Sequence, residues 1–321
     1  MPGARLVADV GGTHARFAWQ AGAGQPLTHV RALPCADHPS LEAAMRAYLQ
    51  GVGQGRPLHA AIAIATPITG DRVTMTNHHW VFSQAGLRQA LGLQTLRLLN
   101  DFTALALALP TLPAHELRQV GGGQAVPGAA KALIGAGTGL GVSVLLPDGR
   151  GGWVPVQGEG GHVTLPAITA RERLVMDALR QRHGHASAER VVCGQGLLDA
   201  YDVLCQADGA QAAACTTPAD VTQAALSGGD AHAQEALNLF CALLGSVAGN
   251  LALTLGARGG VYVGGGIVPR LGEWFDASPF RARFEAKGRF LPYLRGIPVW
   301  VITSAQSPAL WGAASALDDL N

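Results

Sequence analysis

The stretch "ARLVADVGGTHARFAW", residues 4–19, decides the fold, because two apolar runs flank a turn made of glycine and threonine. Such a pattern predicts two buried strands joined as a hairpin. The same order returns in "KALIGAGTGLGVSVLLPDG", residues 131–149. Two units of this form, one opening each half of the chain, predict two related lobes that each present a loop to a shared cleft.

The size and composition of the chain favour a folded protein with two domains. Its 321 residues exceed the comfortable size of one hydrophobic core, and 48% of them are apolar. Further predicted strands and helices alternate along the chain, which is typical of an α/β protein. Over residues 110–128 the composition shifts towards proline and glycine, so this segment is the best candidate for a crossing between domains.

Charge and cysteine usage argue against several classes of protein. A formal net charge of +1 gives no reason to expect nucleic acid or a membrane as a partner. The five cysteines are scattered, which is typical of free thiols in a reducing cytoplasm, and the N-terminus lacks the pattern of a signal peptide. The uncharged residues 236–257 predict a buried helix rather than a membrane span. We therefore expect a soluble cytoplasmic protein.

Three glycine-rich turns, at residues 9–13, 135–139 and 264–266, each follow an apolar strand. Glycine lets backbone N–H groups converge on an anion, and threonine adds a hydroxyl donor. Any one turn could need glycine for steric reasons alone, but three together favour the binding of a nucleotide phosphate chain. The sequence contains neither a P-loop nor the dinucleotide-binding GxGxxG pattern.

Two aspartates stand where a ligand-binding carboxylate would be expected. Asp9 lies beside the first glycine turn, where it could hold Mg²⁺ through water; the alternative is a turn aspartate. In "LRLLNDFTALALALP", residues 96–110, Asn100 and Asp101 interrupt two apolar runs that predict a strand and a helix. Asp101 either caps that helix or faces a cleft and accepts a proton.

Eight motifs stand in the order of one known family. They are "DVGGT" (residues 9–13), "PITGD" (67–71), "MTNHHW" (75–80), "NDFTA" (100–104), "GAGTGLG" (135–141), "GEGGH" (158–162), "SAER" (187–190) and "GGGIVPR" (264–270). In this order they resemble the bacterial glucokinases of the hexokinase/actin-like ATPase superfamily. The resemblance extends over residues 6–312, which is almost the whole chain.

The resemblance implies an α/β protein with the two-lobed actin-like ATPase (ribonuclease H-like) fold and a central cleft. It implies a small domain of residues 1–110 plus 301–321, a large domain of residues 111–300, and a homodimer. The implied activity is ATP-dependent phosphorylation of glucose on its 6-hydroxyl, which gives glucose 6-phosphate and ADP as the first step of glycolysis.

The resemblance also implies which residues act. Asp101 matches the catalytic base. The residues that match sugar-binding positions are Asn100, Glu159, His162 and Glu189. Those that match the nucleotide-binding loops are Ala8, Asp9, Val10, Gly11, Gly12, Thr13, Gly137, Thr138 and Gly265, with Asp9 holding Mg²⁺ through water. Taken alone, Glu189 could be a first-turn helix glutamate and His162 a loop histidine.

The chemistry of phosphoryl transfer suits an aspartate at position 101. Little proton abstraction precedes the transition state, so a carboxylate with its usual low pKa can orient the sugar hydroxyl and accept its proton late. A helix N-terminus behind Asp101 would help to keep it ionised. Carboxylates and a histidine suit a sugar, because their acceptors and donors can bracket vicinal hydroxyls.

Departures from the family pattern and two rival functions remain open at this level. His14 follows "DVGGT" where the family has asparagine, which leaves the phosphate donor open. Ala8 replaces a glycine, Gln195 replaces a proline, and the ending "TSAQSPALWG" also differs. A sensor that binds sugar and nucleotide without turnover is disfavoured by Asp101 beside Asn100. An ATPase that takes no sugar is disfavoured by Glu159 and His162.

Overall fold

The computed structural model describes residues 3–76, 78–210 and 215–318. The chain divides into two compact units. Unit 1 comprises Met1–Pro113 with Ser304–Asn321, and unit 2 comprises Ala114–Thr303.

Strands and helices alternate along the chain as the sequence predicts. The strands are β1 (Arg5–Val10), β2 (His14–Gln20), β3 (Leu27–Pro34), β4 (His59–Ile64), β5 (Arg72–Thr74), β6 (Val81–Ser83), β7 (Thr95–Asn100), β8 (Leu117–Val120), β9 (Lys131–Ala136), β10 (Leu140–Pro147), β11 (Trp153–Gly158), β12 (Val261–Gly264) and β13 (Val299–Ile302). The helices are α1 (Leu41–Val52), α2 (Gln84–Ala90), α3 (Asp101–Ala108), α4 (Ala170–His183), α5 (Ala188–Val191), α6 (Gly194–Ala207), α7 (Pro218–Ser227), α8 (Ala231–Leu255), α9 (Val268–Leu271), α10 (Glu273–Ala277), α11 (Phe280–Glu285), α12 (Leu291–Arg295) and α13 (Ala309–Ser315).

The two units are built on sheets of the same design. In unit 1 the strand order is β3-β2-β1-β4-β7, with β1, β2 and β3 antiparallel and β4 and β7 parallel to β1. In unit 2 the order is β11-β10-β9-β12-β13-β8, with β9 to β11 antiparallel and β12 and β13 parallel to β9. The repeat of strand, glycine-threonine turn and strand is therefore part of a larger repeat: each sheet contains three consecutive antiparallel strands, and two further strands lie parallel to the first of them.

Successive side chains of β1 point to opposite faces of the unit 1 sheet, and each face packs against different helices. Leu6, Ala8 and Val10 are fully buried in the cluster that contains residues of α1. Val7 points to the other face, where it packs against Leu310 of α13. Because side chains alternate with a period of two, Asp9 shares the face of Val7.

Local sequence predicted the caps of α1 and α2 but not that of α13. Ser40 caps α1 by accepting from the Ala43 N–H at 3.1 Å, and Ser83 caps α2 in the same way. The "SP" pair before α13 predicts Ser307 as a cap, and this prediction is wrong. Pro308 occupies the cap position without a side-chain hydrogen bond, and the Ser307 hydroxyl donates to Asp9 instead.

The long helix α8 forms the core of unit 2. It is long and apolar enough to span a membrane, but 78% of its most apolar window is buried inside the protein. The prediction of a buried helix is therefore confirmed. Its polar Ser246 accepts a hydrogen bond from Arg283, which also pairs with the buried carboxylate of Glu172. The helix thus meets α11 and α4 through a buried polar network, in which Arg283 Nε is left without a hydrogen-bond partner in the described structure.

Candidate active site

The junction of β7 and α3 explains why two polar residues interrupt the apolar runs. The Asn100 side-chain oxygen accepts from the N–H groups of Phe102 and Thr103, at 3.0 and 3.3 Å, and so caps α3. Asp101 is the first residue of the helix, and the interpretation of Asp101 as its cap is wrong. The Asp101 carboxylate accepts the adjacent Phe102 N–H at 2.9 Å. Asn100 therefore caps α3, and the Asp101 carboxylate is not needed for the cap.

Burial sets the proton affinity of Asp101. Desolvation, and to a smaller extent the negative charge of Asp9, raises the pKa of this carboxyl to about 6. Hydrogen bonds from the Phe102 N–H and Asn100 oppose the rise without cancelling it. The expectation of an ordinary low pKa is therefore wrong, because the helix N-terminus does not offset the loss of water around the carboxylate.

Asp9 occupies β1 rather than a turn, and two side chains hold it. The Ser307 hydroxyl donates to Asp9 Oδ2 at 2.7 Å. Arg16, its partner in the β1–β2 register, places Nη1 3.5 Å from the same oxygen. Burial raises the pKa of Asp9, while Ser307 and Arg16 lower it. Only 15% of the Asp9 side chain is exposed, so the carboxylate is a held group and not a solvated turn residue.

The first glycine loop is closed by its own backbone and by Cys35. The Gly11 N–H donates to the His14 carbonyl at 3.0 Å, which closes the hairpin. Cys35 donates its N–H to the Thr13 carbonyl at 2.8 Å and its thiol to the Gly11 carbonyl at 3.5 Å. Of the other residues predicted to bind nucleotide here, Ala8 and Val10 have side chains buried in the core. They can contribute only backbone.

The donor set of unit 1 fits magnesium rather than zinc. Mg²⁺ keeps several waters and binds through one or two carboxylates together with substrate phosphates. The carboxylate of Asp9, which Ser307 and Arg16 hold in place, could supply one such ligand. Within residues 3–76, 78–210 and 215–318, no group of three or more histidines, cysteines and acidic residues could hold a metal by itself.

In unit 2, Glu159 and His162 lie at the two ends of one short turn. Glu159 is exposed and precedes a 3₁₀ turn, Gly160–His162, in which the His162 N–H donates to the Glu159 carbonyl at 3.0 Å. A Cβ on Gly161 would overlap the carbonyl oxygen of Leu140, so only glycine fits between them. The glycines of this motif therefore serve packing as well as access.

Glu189 joins this turn to the second hairpin. It lies in the first turn of α5, which Ser187 caps, so the helix interpretation holds. Its side chain also makes contacts outside the helix. Oε2 accepts from the Leu140 N–H at 2.9 Å, and Oε1 lies 3.8 Å from Nδ1 of His162. The structure thus brings His162 and Glu189 together.

The second and third glycine loops pack against each other. Gly265 has φ +82°, and a Cβ there would overlap the Ala136 carbonyl at the end of β9. A Cβ on Gly137 would stand 3.8 Å from the Gly266 nitrogen. The Gly194 N–H, at the start of α6, donates to the Gly137 carbonyl at 2.9 Å. Three chain segments therefore converge on one wall.

That wall borders a cavity of about 880 Å³ within unit 2. Its lining residues are Gly137, Thr138, Gly194, Gln195, Leu197, Thr217, Pro218, Ala219, Thr222, Gln223, Leu226, Ser227, Gly266, Ile267 and Arg270. A cavity of this size accommodates a nucleotide. The sequence predicted the glycine loops but missed the wall formed by α7, because an ordinary capped helix carries no motif for a base or a ribose.

The predicted motif at residues 75–80 packs into the core of unit 1 through Trp80. In "MTNHHW", the ring of Trp80 is buried, its Nε1 donates to the His38 carbonyl at 3.1 Å, and His78 packs against its edge at 4.7 Å between centroids. The sequence favours a place near the sugar for residues 77–80 as a whole, and of these Asn77 lies outside the described residues.

Comparison with known proteins decides the family. The family model described as Glucokinase matches residues 6–320, and a glucokinase of Chromobacterium violaceum is 56% identical over 98% of this chain and 89% of its own length. The chain belongs to the glucokinase family. Its similarity extends to a glucokinase of Aromatoleum aromaticum, which is 54% identical over 98% of this chain and 95% of the relative.

The fold agrees with a solved member of the glucokinase family. The crystal structure of a glucokinase from an Antarctic psychrotroph superimposes with a TM-score of 0.88, at 35% identity, over 98% of this chain and 99% of that one. The predictions of a sugar kinase and of the two-lobed actin-like fold are confirmed.

Proposed function

We propose that this glucokinase transfers the terminal phosphoryl group of ATP to the 6-hydroxyl of glucose, giving glucose 6-phosphate and ADP. The observation that carries the proposal is Asp101, a half-buried carboxylate whose pKa is raised to about 6. Such a group is ionised at pH 7.5, yet it is a stronger base than a solvated aspartate. Asn100 bears the capping function, so Asp101 is available to the substrate.

Asp101 acts by orientation and by late proton acceptance. Its carboxylate would accept the hydrogen bond of the sugar's primary hydroxyl and point the oxygen at the γ-phosphorus. The O–P bond to the sugar forms as the bond to ADP breaks, and the hydroxyl proton passes to Asp101. Because the Asn100 oxygen is occupied in the cap, its amide NH₂ is the part of that side chain left to donate to the sugar.

The sugar hydroxyls would be bound by Glu159, His162 and Glu189. Two features support this assignment. His162 and Glu189 lie 3.8 Å apart and present a donor and acceptors side by side. Glu189 is held by the Leu140 N–H, which limits its rotamers before a ligand arrives. An analogue that inverts or lacks a hydroxyl would leave one of these groups unpaired.

Backbone groups would hold the phosphates, and the unit 2 cavity would hold the rest of the nucleotide. The loop residues Gly12, Thr13, Thr138 and Gly265 would supply N–H donors, as the glycine pattern predicts. The N–H groups of Gly11 and Gly137 already donate to the carbonyls of His14 and Gly139, so these two glycines would contribute only a close approach of the backbone. The cavity beside Gly137 has room for a base and a ribose. Gln195 and Arg270 line it and supply polar groups that could select the donor.

Asp9 would hold Mg²⁺ through water. When bound, the ion neutralises the charge that develops on the transferred phosphoryl group. Asp9 itself is prepared for this role because Ser307 and Arg16 hold one of its oxygens.

We also infer a cytoplasmic homodimer. All five cysteines are free and buried, which suits a reducing compartment. The edge strand β11 exposes Val154 and Val156, an apolar edge of the kind that a second copy would cover. Light scattering coupled to gel filtration tests this assembly: a mass of two chains supports it, and a mass of one chain contradicts it.

The experiment that tests the function is a coupled ADP-release assay with glucose, mannose, fructose and N-acetylglucosamine. We expect ADP release that depends on hexose and is fastest with glucose. Hydrolysis that ignores the sugar would favour the sugarless ATPase. Tight binding of glucose and ATP without ADP release would favour the sensor.

A further inference from the structure

Ser307 occupies a position that local rules reserve for a helix cap. A serine directly before Pro308 and the helix α13 is a favourable arrangement for a side chain that accepts from the first N–H groups. The structure uses it differently. Pro308 takes the cap position, no side chain caps α13, and the Ser307 hydroxyl donates to Asp9 Oδ2 at 2.7 Å.

The contact joins residues that are 298 positions apart, so it is not a product of the local chain. Ser307 is only partly buried, and water could satisfy its hydroxyl. The carboxylate of Asp9 gains more, because a buried ion needs hydrogen bonds that hold it in one rotamer. Ser307 therefore holds the Asp9 carboxylate instead of capping α13. Such a loss of local stability is typical of functional sites.

The two side chains that hold Asp9 reach the same oxygen. Ser307 donates to Oδ2, and Arg16 Nη1 lies 3.5 Å from Oδ2. These two contacts restrict the rotamers of Asp9, and with Oδ2 engaged, Oδ1 is the oxygen left for a water of a bound metal.

We propose that Ser307 is a positioning residue for magnesium: its hydroxyl fixes Asp9 so that Oδ1 receives a metal-bound water. This inference rests on the proposed role of Asp9 towards Mg²⁺. Ser307 touches neither sugar nor phosphate in this account, and it acts only through Asp9.

The test measures metal binding without turnover. Mn²⁺ is titrated into the full chain with glucose and the non-hydrolysable analogue AMPPNP, and free Mn²⁺ is read by electron paramagnetic resonance. We expect Ser307→Ala to weaken Mn²⁺ binding about fivefold, the factor that corresponds to one net hydrogen bond. Ser307→Thr keeps the hydroxyl and should stay within about twofold of the parent. In turnover, the alanine variant should need more Mg²⁺ for half-maximal rate, while the rate at saturating Mg²⁺ changes less.

Ser40→Ala is the matched control, because Ser40 caps α1 in the same unit and has no contact with Asp9 in the described structure. It should lower the melting temperature and leave the Mn²⁺ affinity unchanged. If Ser307→Ala behaves like Ser40→Ala, Ser307 is structural and the proposal is wrong. Should the alanine variant not fold, Ser307→Cys carries the same test, because a thiol keeps the shape and donates weakly.

Asp9→Asn in the same titration distinguishes a failure of the Ser307 proposal from a failure of the proposed magnesium role of Asp9. If Asp9→Asn weakens Mn²⁺ binding and Ser307→Ala does not, only the role of Ser307 is lost. If neither variant changes the affinity, the proposed magnesium role of Asp9 fails as well.

Discussion

Replacing Asp101 by asparagine should stabilise the protein while it removes the activity. Burial raises the pKa of Asp101 from 3.8 to about 6, so ionising this group costs more in the folded chain than in the unfolded one. A rise of about 2 units at about 1.36 kcal/mol per unit corresponds to about 3 kcal/mol. Asparagine carries no charge, and its side-chain oxygen can still accept the Phe102 N–H.

The pH dependence of this gain has a definite sign. Since the folded pKa lies above the unfolded one, the penalty is absent below about pH 3.8, grows between about pH 3.8 and 6, and is complete above that range. Asp101→Asn should therefore exceed the parent in free energy of unfolding by about 3 kcal/mol at pH 7.5 and by roughly 1.5 kcal/mol at pH 5.

Urea unfolding followed by tryptophan fluorescence measures both values. Asp71→Asn is the control: Asp71 is exposed, and hydrogen bonds from Ser83 and Ala85 lower its pKa, so this variant should gain nothing. The kcat of Asp101→Asn should fall at least about 100-fold, while glucose binding by calorimetry persists. Equal or lower stability of Asp101→Asn at pH 7.5 would refute the burial argument, and near-normal kcat would remove Asp101 from the chemistry.

Three further predictions test other parts of the account. The kcat/KM for glucose should fall as pH drops through about 6, because protonated Asp101 cannot accept the hydroxyl proton; a rate that stays flat to pH 5 speaks against this. Gly265→Ala should lower the free energy of unfolding by roughly 2 kcal/mol or more in a denaturant titration, since its φ is +82° and its Cβ would overlap Ala136. Gly266→Ala, which meets nothing within 4 Å, is the control, and equal effects would contradict the prediction. Arg283→Ala should lower the free energy of unfolding by about 3 kcal/mol, because the buried Glu172 loses its counter-charge and keeps only the N–H groups of Ile168 and Thr169. Changing both residues to methionine removes both charges and should cost less, although it also removes the Glu172 half of the α4 capping box.

The sequence predicted the architecture because the same pattern, two apolar strands around a glycine-rich turn, occurs once in each unit. Each sheet is built around a hairpin whose strands are apolar and whose turn is glycine-rich, and both patterns lie within about twenty residues. The position of Asp101 was predictable for a similar reason: an ionisable residue between two apolar segments marks a strand end followed by a helix start.

What the sequence could not predict depends on residues far apart in the chain. No local pattern assigns the Ser307 hydroxyl to Asp9, which is 298 positions away. The raised pKa of Asp101 depends on how completely β7 and α3 exclude water, and composition does not report that. The α7 wall of the unit 2 cavity includes side chains such as Thr222, which a helix could equally direct into solvent.

The most direct test of the central claim follows both products of one reaction. With glucose and MgATP, phosphorus and proton magnetic resonance should show ADP and glucose 6-phosphate appearing in equal amounts, with no phosphate released. The same sample of Asp101→Asn should bind glucose and form neither product at a comparable rate. ADP and free phosphate appearing at the same rate with and without glucose would contradict the account.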